Sequence, residues 1–139
     1  MLIVCDKDYQ VSGKLKIREE EEPYPNDEEV LIRVKSFGIN RPDLLQKKGL
    51  YPPPASASKI LGLECSGFVE KTGKNVQGIK EGDKVCALTA GGAYAEKVSV
   101  HQWHCFNMPK NLNFSEAAVL PEVFMTCWAN IFELGMLKQ

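Results

Sequence analysis

The sequence predicts a mainly β domain with short helices, curled into a closed or nearly closed antiparallel barrel. Three observations predict it. Short stretches alternate apolar and polar residues, turn signals separate them at close and regular spacing, and no long helical pattern comes between them. A chain of 139 residues with 44% hydrophobic side chains is one domain by size and can bury a real core.

The strands follow in order. Val30, Ile32 and Val34 alternate with Leu31, Arg33 and Lys35, the pattern of a strand with one face toward a core. Gly67-Phe-Val-Glu70, Lys84-Val-Cys-Ala-Leu88 and Tyr94-Ala-Glu-Lys-Val-Ser-Val100 read the same way. Pro25-Asn-Asp, Thr72-Gly-Lys-Asn, Glu81-Gly-Asp and Gly91-Gly92 supply the turns between them, the last as a hairpin between neighbouring strands.

Helical signals fall in two places. Asn40 can cap the first helix, Pro42 suits its first turn, Asp43 favours the positive dipole end and Gly49 can close it, so Asn40 and Asp43 lie at one helix end. In the second place Ser115 caps a short helix that Pro121 interrupts and restarts. Val123, Phe124, Cys127, Trp128, Ile131 and Leu134 then recur at helical spacing up to Gly135, a C-terminal stop, and give this tail helix a broad apolar face.

Charge and cysteine usage exclude several classes. A formal net charge of -1 offers no field for nucleic acid or an anionic membrane. The run Glu19 to Glu22 reads as a solvated loop, and no apolar run approaches the ~20 residues of a membrane span. The N-terminus meets charge too soon for a signal peptide, and 5 cysteines without a C-x-x-C pair fit a reducing compartment. The chain reads as cytosolic. Both histidines fall in His101-x-x-His104-Cys105, where an extended backbone would point them to opposite faces and leave a surface loop in place of a metal site.

Gly38-Ile-Asn-Arg-Pro-Asp-Leu-Leu-Gln-Lys-Lys-Gly49 and Leu61-Gly-Leu-Glu-Cys-Ser-Gly-Phe-Val-Glu70 resemble the paired active-site segments of the medium-chain dehydrogenase/reductase superfamily. The likeness extends through Glu29 to Lys35, Gly49-Leu-Tyr-Pro-Pro-Pro54, Lys80 to Leu88, Gly91-Gly-Ala-Tyr-Ala-Glu96 and Ala117 to Thr126, in the family's order and spacing. Its zinc alcohol dehydrogenases carry Cys and His where this chain has Asn40 and Leu63. A carboxamide and an alkyl group do not replace a thiolate and an imidazole on tetrahedral zinc, so the chain resembles the zinc-free quinone oxidoreductase (zeta-crystallin-like) branch.

That resemblance implies a partly open GroES-like barrel over residues 1–120. It implies that residues 121–139 form a helix leading toward a dinucleotide-binding domain that the sequence does not reach. The implied activity is hydride transfer from NADPH to a quinone or a similar electrophilic carbonyl, with the 139-residue chain alone inactive. No G-x-G-x-x-G turn is present to cradle a pyrophosphate at a helix N-terminus.

Such chemistry needs flat rings held in a dry cleft and relief for charge on the quinone oxygen. Asn40 offers a donor and an acceptor at a helix end, for catalysis and for the cofactor, against a plain capping role. Tyr51, stiffened by Pro52, Pro53 and Pro54, is a wall and a hydrogen-bond donor, or packs beneath its own proline loop. Asp43 is the third catalytic candidate. By resemblance Thr126 stands where the family's Thr touches the nicotinamide carboxamide, unless it bonds back to its own helix. Glu64 is read as a buried structural partner of a basic group. No nucleophile elbow is present. An alternative class is a non-enzymatic barrel that self-associates or binds full-length subunits. A homodimer is expected, through the tail face that a cofactor domain would otherwise cover.

Overall fold

Strand β3, Glu29–Phe37, is the backbone of the fold, because Val30 and Ile32 on one face and Leu31 on the other are all buried. The computed structural model describes residues 1–6 and 14–138. A hairpin of β1, Leu2–Asp6, and β2, Leu15–Glu19, precedes β3. After it come helix α1, Arg41–Lys47, then β4, Glu64–Thr72, β5, Lys84–Leu88, β6, Lys97–His101, and β7, Cys105–Asn107. Two helices, α2 at Phe114–Ala117 and α3 at Pro121–Trp128, lead to a π-helical turn at Ala129–Leu134. None of the helices described is long and apolar enough to cross a membrane.

The larger sheet is antiparallel in the order β6-β3-β4-β5-β7. Two register shifts in β3, at Leu31/Ile32 and Val34/Ser36, mark irregularities of the kind that bends a strand. Residues 94–96 stitch the small sheet to the large one. Val4 N–H donates to the Tyr94 carbonyl at 2.7 Å, Glu96 N–H to Leu2 at 3.0 Å and Val34 N–H to Glu96 at 2.8 Å. The result is a curled, partly open barrel around Val30, Ile32, Cys65, Val69, Val85 and Val98, the GroES-like architecture that the resemblance implies.

Several expectations change. β5 and β6 are not neighbours, so Gly91-Gly92 is a crossover and not a hairpin. Strands adjacent in sequence need not pair in a barrel. The strand read from Tyr94 begins only at Lys97, because Tyr94 and Glu96 spend their backbone groups on Leu61, β1 and β3. Ser115 does not cap α2. Asn113 does, accepting from Glu116 N–H at 3.0 Å while Glu116 reaches back to Asn113 N–H at 2.9 Å. His101 and His104 do not point apart either: a 3-10 turn at Gln102–His104 brings their rings to 5.9 Å. The thiols of Cys5, Cys65, Cys86, Cys105 and Cys127 are all free.

The tail matches its periodicity as far as Trp128 and then widens into the π turn, ending at Gly135. Val123, Phe124, Trp128, Ile131 and Leu134 are all exposed.

Candidate functional site

The site is a polar centre where α1, β4, the start of α3 and the crossover after β5 converge. Asn40 is the N-cap of α1, in extended conformation at φ -114° and ψ 157°. Asp43, three residues on, accepts the Asn40 backbone N–H on Oδ2 at 2.8 Å. The other end of the helix closes as Gly49 predicts, with Gly49 N–H donating to Gln46 and Leu50 N–H to Leu45, both at 2.9 Å. A seven-residue helix is thus fastened at both ends, and its first turn is held in a fixed place.

The Asn40 carboxamide also reaches beyond its own helix. Its Nδ2 donates to Glu64 Oε1 at 2.8 Å. Glu64 Oε2 accepts Glu122 N–H, in the first turn of α3, at 2.9 Å. The carboxylate therefore has no basic partner among the described residues; two N–H donors hold it in place of the expected cation. Burial pushes the Glu64 carboxyl above the usual carboxylate range, the Asn40 hydrogen bond opposes that, and the nearby Glu122 and Asp43 charges add to it. Close approach makes the pocket for Glu64: a Cβ on Gly38 would land on its Oε1 and within 2.8 Å of its Cγ.

Tyr94 completes the centre, and the sequence reading did not single it out. Its hydroxyl donates to Asp43 Oδ2 at 3.0 Å, and its ring stacks on Phe37 with centroids 4.4 Å apart. Burial, and secondarily the Asp43 charge, push the Tyr94 phenol well above its ordinary pKa. Gly62, at φ +104°, leaves room for that ring, which a Cβ there would meet at 2.5 Å. Asp43 Oδ1 is buried without a hydrogen-bond partner.

The candidates from sequence separate into two groups. Asn40 and Asp43 lie together in the centre. Tyr51 sits on the loop after α1, 46% exposed, and makes no hydrogen bond to either of them. Thr126 is exposed on α3; its carbonyl accepts Asn130 Nδ2 at 2.8 Å. Glu64 ties the centre to the helix that carries Thr126, through its second oxygen, while Tyr51 has no such link. An Asn carboxamide has two N–H donors and an acceptor oxygen, so after Glu64 takes one N–H the rest can serve a ligand carbonyl or amide.

A barrel of this topology with its polar centre at the start of α1 defines a class. The chain belongs to the alcohol dehydrogenase GroES-like domain family, whose model matches residues 26–110. It is 41% identical over 110 residues to the synaptic vesicle membrane protein VAT-1 homolog of Danio rerio, covering 79% of this chain and 23% of that one. The crystal structure of human VAT-1 homolog-like protein superposes at a TM-score of 0.89 with 34% identity, over 100% of this chain and 46% of that one. Escherichia coli quinone oxidoreductase, solved in complex with NADPH, superposes at 0.78 with 30% identity, over 86% of this chain and 37% of that one. The chain thus spans less than half the length of these relatives. Relatives and structural neighbours similar to it are members of the medium-chain dehydrogenase/reductase superfamily, a quinone oxidoreductase of Pseudomonas syringae among them.

Proposed function

We propose that the chain supplies the substrate-side half of a zinc-independent, NADPH-dependent quinone oxidoreductase. The observation that carries this reading is the fixed Asn40 carboxamide at the start of α1, held by Glu64 where zinc-dependent relatives would present a thiolate. The likeness to a quinone oxidoreductase that binds NADPH supports the substrate and cofactor class.

The described residues suit only one end of a dinucleotide. Asn40 and the open Thr126 are placed on elements tied to the same carboxylate, and they would hold the nicotinamide end. Among the described residues the glycines make no phosphate cradle: Gly38, before the α1 cap, faces the Glu64 carboxylate, Gly49 ends α1, and Gly91-Gly92 run between two strands. By likeness to the family, phosphate binding would fall to a further domain. Bound NADPH would supply the hydride. This chain's part is to orient a flat carbonyl substrate, to donate a hydrogen bond to its oxygen from Asn40, and to exclude water along the Tyr51 loop. We further propose a cytoplasmic protein that pairs through its tail.

The test is a fluorescence titration of NADPH into this chain, with a quinone reduction assay beside it. Undetectable or millimolar affinity and no turnover are expected, because backbone N–H groups at a helix N-terminus are what hold a pyrophosphate. Micromolar affinity would overturn the division of labour. About one tightly held zinc per chain, by elemental analysis, would overturn the zinc-independent assignment.

A further inference from the structure

We infer that Glu64 is a positioning residue that sets the Asn40 carboxamide against the start of α3, fixing the spacing between the two elements that would hold the nicotinamide end. The inference rests on the functional reading above for its purpose, but its evidence is geometric. Each carboxylate oxygen takes one donor from a different element: Oε1 from Asn40 on α1 at 2.8 Å, Oε2 from Glu122 N–H on α3 at 2.9 Å. The Glu122 N–H is one of the four that a helix start leaves without an intrahelical acceptor, so it is free to take an outside partner.

Packing alone does not account for a carboxylate here. Glu64 is 1% exposed, and the two charges that act on it, Glu122 and Asp43, are both acidic. A buried anion without a cation is costly, and an alkyl chain of the same volume would avoid that cost. What an alkyl chain lacks is two acceptors at once. A Gln lacks them too, since its single oxygen serves one donor while its NH2 meets the other head-on. Gly38 is the independent sign that the arrangement is built: the absent Cβ there leaves the volume the carboxylate occupies. One anion thus bridges two helix starts.

Amide hydrogen exchange of the 15N-labelled chain, read at Glu122 N–H and at the Asn40 side-chain amide, tests the coupling with a double-mutant cycle. Asn40→Ser should speed exchange at Glu122 about tenfold or more, the scale of a weakened charge-assisted hydrogen bond. In the Glu64→Gln background the same substitution should change it little. An equal response with and without Glu64, or no response in either, overturns the inference. Should Glu64→Gln fail to fold, Gly38→Ala serves instead: it pushes the carboxylate off Asn40, so unchanged protection of the Asn40 amide would overturn the inference. The functional reading is decided apart from this, by shifts of the Asn40 and Thr126 signals on adding nicotinamide mononucleotide to the wild-type chain. Silence there removes the nicotinamide assignment and leaves the exchange result to judge the bridge.

Discussion

Replacing Tyr94 by Phe removes one oxygen and nothing else, which makes it the cleanest probe of the polar centre. Asp43 is 1% exposed, its Oδ1 has no hydrogen-bond partner, and its Oδ2 is held by Asn40 N–H at 2.8 Å and the Tyr94 hydroxyl at 3.0 Å. Without that hydroxyl a buried carboxylate keeps a single donor. Hydrogen bonds to charged groups contribute about 1.5–3 kcal/mol, and the ring's own packing is unaffected because Phe retains the stack on Phe37 and the space over Gly62. We expect Tyr94→Phe to lose about 1.5–3 kcal/mol, a fall of about 0.5–1 M in the guanidinium midpoint at unchanged slope. Tyr24→Phe, on a ring 83% exposed, is the control and should be neutral. If Tyr94→Phe lies within about 0.5 kcal/mol of wild type, the hydroxyl is not holding Asp43 and the reasoning is refuted.

Three further outcomes follow from the same structure. Because Glu64 titrates above its ordinary range in the fold, the folded state binds its proton more readily than the unfolded state. Stability should therefore fall as pH rises from the ordinary Glu value through the raised one, with the penalty in full force above it. Denaturation midpoints across acidic pH should show wild type gaining on Glu64→Gln as pH is lowered through that window; parallel profiles would exclude the shift. Burial pushes the thiols of Cys65 and Cys86 up and that of Cys105 to about 12, Cys5 is buried, and Cys127 is exposed, so one thiol should react promptly with an alkylating agent and Cys127→Ser should remove it. Phe124, Trp128, Ile131 and Leu134 are open to solvent, and burial of each is worth about 1.5–3 kcal/mol, so light scattering should find pairs that Trp128→Glu dissociates; a monomer in both would show that the tail does not self-associate.

Strand β5 was legible to the residue, since Lys84 to Leu88 is a short apolar run between sharp turn signals. The α1 boundaries followed from caps whose chemistry is local: Asp43 at the front, Gly49 at the back. Hairpin β1–β2 was not legible because four of the five β2 residues are exposed, which leaves no alternation to read. Asn113 was a missed signal, for Asn113-x-x-Glu116 is a capping box in plain sequence and outcompetes Ser115. Tyr94 had no such signal. Its partner Asp43 lies 51 residues away, and only the crossover that defeated the hairpin reading brings the two together.

That crossover also dictates when the polar centre can exist. Strands β4 and β5 are close in sequence and can pair early, whereas β6 must travel from the end of β5 across the sheet to reach β3. Closing a loop of that kind costs chain entropy before any contact repays it, and so it comes late. Tyr94 lies on the travelling segment, between Leu88 and Lys97, so its hydrogen bond to Asp43 should form late as well. Pulse-labelled exchange should then show β4–β5 amides protected before β3–β6, and any substitution that slows closure would delay assembly of the site while leaving most of the sheet intact.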